Sequence, residues 1–235
     1  MEQNQCSHHK QGHVECIRSV PIFNHLEGSQ MDLIAKSAKT LHLHKGEILF
    51  RADEEDDALY IINSGKVRIY HLSDSGKEQL VRILNPGDFT GELAIFHSGS
   101  IHGNYAEALQ NTSICLIQRE DLQKYLMEYP QISLKLLSEV TIRLMDSEKQ
   151  TTQVAIENVE VRIISFLAEN VEKGNDNSPT VTLPMSKKDL ASYLGTTPET
   201  ISRKFTTLEE RGLIKQLPKK KIKIMDLNQL LLHTK

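Results

Sequence analysis

Three features of the sequence predict an α+β chain in which an antiparallel barrel or sandwich precedes a long helix and a small helical domain. From about Thr40 to Gln118, short apolar runs alternate with period two between glycines. From Ile132 to Asn170 neither glycine nor proline interrupts the chain. The stretch "SKKDLASYLGTTPETISRKFTTLEERGLIK", beginning at Ser186, then carries helix caps on both sides of a glycine turn. At 235 residues the chain exceeds the usual single-domain size, so two compact units and one long connection are expected.

The polar start "MEQNQCSHHK" lacks the apolar character of a signal peptide, and no run nears the roughly 20 apolar residues that cross a bilayer. A cytosolic protein without a membrane partner is expected. Within an N-terminal arm of residues 1–20, Cys6, His8, His9, His13 and Cys16 fall inside eleven positions. Thiolate and imidazole suit zinc, which takes four N/S ligands, and Cys6, His9, His13 and Cys16 make one candidate set; exposed histidines on an arm account for the same composition. Three cysteines in a reducing compartment argue against a disulfide framework and leave metal or redox chemistry open.

Residues 21–129 read as the β-rich unit. Leu59 with Ile61, and Val67 with Ile69, set apolar side chains on one strand face, while Gly46, Gly65, Gly76 and Gly87 sit where turns are needed. On this reading "NSGK" and "DSGK" are hairpin turns and "ADEEDD" is a solvated acidic loop. Residues 130–156 follow as one helix. Leu137, Val140, Leu144, Ser147, Thr151 and Val154 recur at spacings of three and four, a seam suited to pairing with a second copy; packing on the chain's own barrel gives the same stripe. The C-terminal domain, residues 157–235, begins near Glu157, because Val159, Ile163, Phe166 and Leu167 already form a stripe that a small domain can bury. "EKGNDNSPT" is a loop inside that domain.

Charge is divided unevenly along the chain. Residues 186–225 hold ten Lys/Arg against four Asp/Glu, so this +6 segment leaves −9 for the rest of a chain whose net charge is −3. A basic unit joined to an acidic one points to a polyanion partner. Ser186 caps a first helix with Asp189 three positions on, and "LASYLG" ends it at Gly195. Thr197 then caps a second helix, with Pro198 at its first position and an end near Arg211. Two short helices joined by such a turn form a helix-turn-helix. In the second helix Ile201, Phe205 and Leu208 make the buried stripe, and Glu199, Ser202 and Arg203 share another face in the turns that reach base edges of the major groove. Arg203 can donate two bonds to guanine, Glu199 can accept from a cytosine amino group, and Ser202 can meet a base or phosphate, with Ser186, Thr197 and Thr200 beside them. An ion pair between Glu199 and Arg203 is the local alternative. "GLIKQLPKKKIKIMD" alternates around a basic tip as a hairpin wing does, which places Lys219, Lys220 and Lys221 against phosphates of double-stranded DNA.

These residues resemble the CRP/FNR transcription regulators over nearly the whole chain. "GDFTGELAIF", "TIRLM" and "LGTTPETISRKF" carry the likeness, and "ETISR" is similar to the FNR branch. The resemblance implies a cyclic-nucleotide-binding-type β-roll, a long dimerisation helix and a C-terminal winged helix-turn-helix. It further implies a homodimer in which Glu199, Ser202 and Arg203 read TTGA-type half-sites, with RNA polymerase as partner if the protein activates. The ligand-binding branch holds cyclic AMP with a Gly-Glu pair and an Arg-Ser pair. Gly91 and Glu92 match the first, whereas His102 and Gly103 stand at the second. Without the guanidinium the bidentate phosphate grip is lost, so cyclic AMP is not expected and Gly91-Glu92 reads as a structural turn.

Cys115 resembles the barrel cysteine with which FNR ligates an iron–sulfur cluster, together with three N-terminal cysteines. Here the arm offers only Cys6 and Cys16, so a cluster needs another fourth ligand. The chain is also similar to FNR-like regulators of Gram-positive bacteria, which form a regulatory disulfide; the resemblance implies Cys6–Cys115 or Cys16–Cys115. A small buried hydrophobe on a strand is the alternative reading of Cys115. The expectation is a regulator controlled by a redox, oxygen or metal signal, with a constitutive regulator or a cyclic-nucleotide or small-molecule sensor as rivals. No "GxxxxGK", "GxGxxG", "HExxH" or "GxSxG" motif is present, so an enzyme is not expected.

Overall fold

Alternation along single strands builds two apolar clusters in the first part of the molecule. The computed structural model describes residues 17–172 and 179–233. Its first unit contains α1 (Gly28–Ser37), β1 (Lys39–Leu43), β2 (Ile48–Phe50), β3 (Ala58–Ser64), β4 (Val67–Leu72), β5 (Glu78–Leu84), β6 (Phe89–Thr90), α2 (Glu92–Phe96), β7 (Tyr105–Ala108), β8 (Thr112–Gln118) and α3 (Arg119–Glu128). Two antiparallel sheets result, ordered β1-β8-β3-β6 and β2-β7-β4-β5. Central strand β8 pairs Cys115 with Thr40 on one side and Ile61 on the other. Its run "TSICLIQ" carries four successive apolar residues, Ile114 to Ile117, because both faces are covered. Ile114 enters the cluster of Leu43, Phe50, Ile62, Ile69 and Leu84, while Cys115 and Ile117 join Leu59, Ile61, Phe89 and the helices.

"DSGK" is the expected hairpin, since β4 and β5 pair antiparallel. "NSGK" is not one: β3 and β4 belong to different sheets, so this turn carries the chain across the sandwich. The periodicity of the flanking strands is the same in either case, which is why the sequence could not separate them.

Helix α4 (Pro130–Ile156) has the predicted bounds. One face packs on the barrel through Ile132 and Leu136, with Val140 against the same cluster. Another face stays bare, with Leu137 63% and Leu144 58% exposed. The predicted stripe is thus divided: Val140 packs on the barrel, while Leu137 and Leu144 are exposed.

The molecule divides into two compact units between Leu144 and Met145, within α4 and before the expected boundary near Glu157. Contacts explain why the last turns of α4 belong with the second unit. Gln150 Nε2 donates to the Tyr193 carbonyl at 2.9 Å, and Arg162 Nη1 donates to the carbonyls of Val154 and Glu157 at 3.1 and 2.8 Å. The buried Arg162 thus satisfies carbonyls that a helix end leaves without partners. The unit continues with α5 (Val159–Glu169), β9 (Thr180–Thr182), α6 (Lys187–Tyr193), α7 (Pro198–Glu210), β10 (Ile214–Leu217), β11 (Lys221–Ile224) and α8 (Leu227–Leu232). The expected wing β10–β11 gains a third strand, β9, that the sequence reading did not anticipate.

Candidate nucleic-acid interface

Local chemistry sets the two helices of the motif. The Ser186 hydroxyl accepts from the Asp189 backbone N–H at 3.1 Å and donates to Asp189 Oδ2 at 2.6 Å, closing the start of α6. Gly195 ends it at φ +64°, and a Cβ there would stand 3.2 Å from Val154, so the position favours glycine in both backbone and space. Thr197 Oγ1 accepts from the Thr200 N–H at 3.3 Å and Pro198 opens α7. Ser186 and Thr197 therefore act first as caps, and Thr200 supplies the N–H that Thr197 caps.

Along α7, Ile201, Phe205 and Leu208 are buried as predicted, while Glu199, Ser202 and Arg203 are exposed together on another face. Glu199 turns its carboxylate to its own backbone N–H and to Thr197, which hold it below the usual carboxylate range. It is thus an ionised acceptor at neutral pH, and no Glu199–Arg203 ion pair occurs among the described residues. Other cations of the segment are engaged internally. Lys204 Nζ and Arg211 Nη1 each lie 2.8 Å from a Glu160 oxygen, and Lys187 donates to Gln216 Oε1 at 2.9 Å. Counting charge over residues 186–225 overstates the basic surface, because Glu160 stands outside that window and neutralises cations within it.

At the wing tip Lys219 and Lys220 take φ of 60° and 61°, and Lys221 N–H bonds the Pro218 carbonyl at 3.4 Å. Two successive left-handed residues define a type I′ turn, for which Asn-Gly is the favoured pair. Lysine in that conformation costs about 1–2 kcal/mol per residue. All of Lys219, Lys220 and Lys221 are exposed.

In the barrel, Gly91 (φ +87°) is pressed against the Ala58 carbonyl, which leaves no room for a side chain. Glu92 borders a cavity of about 360 Å³ lined also by Phe50, Arg82, Thr90, His102 and Asn104. Its Oε1 accepts from Arg82 at 3.1 Å and from Arg143 of α4 at 2.9 Å. Arg143 also donates to the Phe89 carbonyl at 3.0 Å. Burial pushes the Glu92 carboxyl up, but Arg82 and Arg143 outweigh it and hold it below its ordinary value. His102 stacks on Phe50 with ring centres 3.5 Å apart, and its Nε2 lies 2.8 Å from Asp56 Oδ2, an ion pair when the imidazole is protonated. Asp56 also accepts from Tyr60 Oη at 2.9 Å. Where the resemblance puts the phosphate grip, an imidazole is backed by a carboxylate.

Asp56 corrects the reading of "ADEEDD" as a solvated loop. Its partner His102 is remote in sequence, so composition alone gave no signal. Arg143 and Glu160 were also missed. Arg143 had a readable cue, since it continues the Ile132, Leu136, Val140 spacing that faces the barrel.

Cys115 is 2% exposed in the core cluster that also holds Ile17 and Val20. Cys6, His9, His13 and Cys16 lie outside the described residues. Among the described residues no group of three or more His, Cys, Asp or Glu could hold a metal ion, and no helix is long and apolar enough to cross a membrane.

Comparison with known proteins matches residues 40–129 to the cyclic nucleotide-binding domain and residues 161–232 to the Crp-like helix-turn-helix domain. A probable transcriptional regulator, flp, of Lacticaseibacillus casei is 35% identical over 86% of this chain and 90% of its own length. An anaerobic regulatory protein of Haemophilus influenzae is 32% identical over 88% and 80%. The structure of FixK2 from Bradyrhizobium japonicum superposes with a TM-score of 0.71 at 28% identity, covering 83% of this chain and 96% of that one.

Proposed function

Because the chain belongs to the CRP/FNR family of DNA-binding transcription regulators, we propose that it reads TTGA-type half-sites through Glu199, Ser202 and Arg203, under redox, oxygen or metal control. The observation that carries this reading is the shared exposed face of those three side chains at the start of α7, opposite the buried Ile201, Phe205 and Leu208. Arg203 is the bidentate donor to guanine, Glu199 the acceptor for a cytosine amino group, and Lys219, Lys220 and Lys221 hold phosphates without specifying sequence. The bare face of α4, with Leu137, Leu144 and Met145 exposed, supports a homodimer that matches two half-sites of a palindrome. If it activates, RNA polymerase is the further partner.

Control through the arm draws support from chain continuity. Ile17, the neighbour of Cys16, is buried in the same apolar cluster as Cys115. A thiol pair or a metal joining them would act on the barrel cluster that Ile132 and Leu136 of α4 also enter. Which of disulfide, zinc or iron–sulfur cluster serves is a question of ligand chemistry.

Fluorescence anisotropy on a TTGA palindrome and a scrambled duplex tests both parts. Arg203→Ala should cost about 1–3 kcal/mol on the palindrome and little on scrambled DNA. Equal losses on the two overturn the base-reading role. Cys16→Ser and Cys115→Ser should abolish the response of affinity to oxidant, reductant or chelator; a parent protein indifferent to all three is a constitutive regulator.

A further inference from the structure

A helix anchored along one apolar stripe is fixed in depth but free to roll about its axis. At about 100° per residue, Glu199, Ser202 and Arg203 lie roughly opposite Ile201, Phe205 and Leu208. Lys204 and Arg211 fall within about 20° of each other, on one flank between those two faces. One carboxylate serves both: Glu160 Oε2 lies 2.8 Å from Lys204 Nζ, and Oε1 lies 2.8 Å from Arg211 Nη1. On the other flank Glu209 accepts from the backbone N–H and the Nε2 of Gln216, both at 2.9 Å.

Glu160 is itself held firmly. It sits in the first turn of α5, where Asn158 Oδ1 accepts from the Glu160 and Val161 N–H groups at 3.0 and 3.1 Å. Two residues on, Arg162 bonds the carbonyls of Val154 in the last turn of α4 and of Glu157 just beyond it. A short segment thus ties the recognition helix to the end of the long helix. Base reading tolerates little misplacement, since bidentate bonds need both directions satisfied together.

We propose that Glu160, outside the helix-turn-helix, is a positioning residue that sets the roll of the recognition helix and so its base discrimination. The inference rests on the reading of Arg203 as a base contact. Lys204 and Arg211 are, on this view, handles for Glu160 before they are phosphate contacts.

The test uses full-length protein, the TTGA palindrome and a scrambled duplex, with thermal unfolding to verify folding. Glu160→Gln should lose about tenfold on the palindrome and less than about twofold on scrambled DNA, because the misplacement affects only oriented contacts. Lys204→Met severs the same contact from the other side and should lower discrimination as well, which keeps the idea testable if Glu160→Gln does not fold. In a Lys204→Met/Arg211→Met background, Glu160→Gln should have no further effect. Equal losses on both duplexes, or a full Glu160→Gln effect in that background, overturn the proposal. Arg203→Ala is run alongside. If it fails to discriminate the duplexes, the base-reading premise falls; if it does discriminate while Glu160→Gln does not, only the positioning role falls.

Discussion

The barrel cavity and the recognition helix both carry acidic and basic side chains, and they differ in what those charges face. Around the cavity Glu92 meets Arg82 and Arg143, and Asp56 meets His102. On the recognition helix Glu199, Ser202 and Arg203 face outward, while the cations behind them are held by Glu160. Both matched regions contain similar residue types, so a segment's charge count does not locate a site. The side chains that the fold leaves presented to an outside partner do.

The strongest way to break this contrast is to remove the carboxylate at the cavity. Glu92→Gln takes the charged partner from two part-buried guanidinium groups, and losing those charge-assisted bonds should cost about 1.5–3 kcal/mol, read as a lower denaturant midpoint for the barrel. An unchanged midpoint would mean that these charges do not depend on one another. The sign with pH follows from the lowered carboxyl of Glu92. A depressed carboxylate contributes stability above its unfolded value, 4.5, and loses it as pH falls through the folded value, so parent and variant should converge in acid.

A smaller effect should sharpen the other half. Replacing Lys219 with Asn and Lys220 with Gly gives the type I′ turn its preferred residues and should stabilise the fold by about 1–2 kcal/mol. The same change should weaken binding to palindromic and scrambled DNA alike and reduce the salt slope by about 1.8 per subunit, at about 0.9 per phosphate contact. Unchanged affinity would remove the wing from the interface. Smallest of all is the expected response to cyclic AMP. A ligand at 100 times its dissociation constant would add about 2.7 kcal/mol, and none of this should appear as a thermal shift.

Much of the DNA-binding half could be read from the sequence because its signals are local. Ser186, Thr197 and Pro198 cap helices within a few residues, Gly195 needs φ above zero, and Ile201, Phe205 and Leu208 repeat at helical spacing. The start of α4 followed from Pro130, and its end from the stripe of Val159, Ile163, Phe166 and Leu167 that assigns the next residues to the second unit. What stayed hidden joins distant positions: Asp56 with His102, Glu92 with Arg143, and Glu160 with Lys204 and Arg211. Each involves an ordinary charged residue in an unremarkable stretch, and only the folded chain brings the partners together. The "NSGK" turn failed for a related reason, since strand periodicity is silent on which sheet a strand joins. The same limit applied at Leu144, where the division of the units reflects contacts of later residues and leaves the helical pattern unbroken.

The burial of Cys115 has a temporal consequence for control through the arm. A thiol sealed inside a β-sandwich meets reagents only during brief openings of its surroundings. Once oxidant is plentiful, the opening frequency and not the dose then limits how fast the thiol responds. A regulator controlled through this thiol, as proposed, would filter out short bursts and answer to conditions that persist.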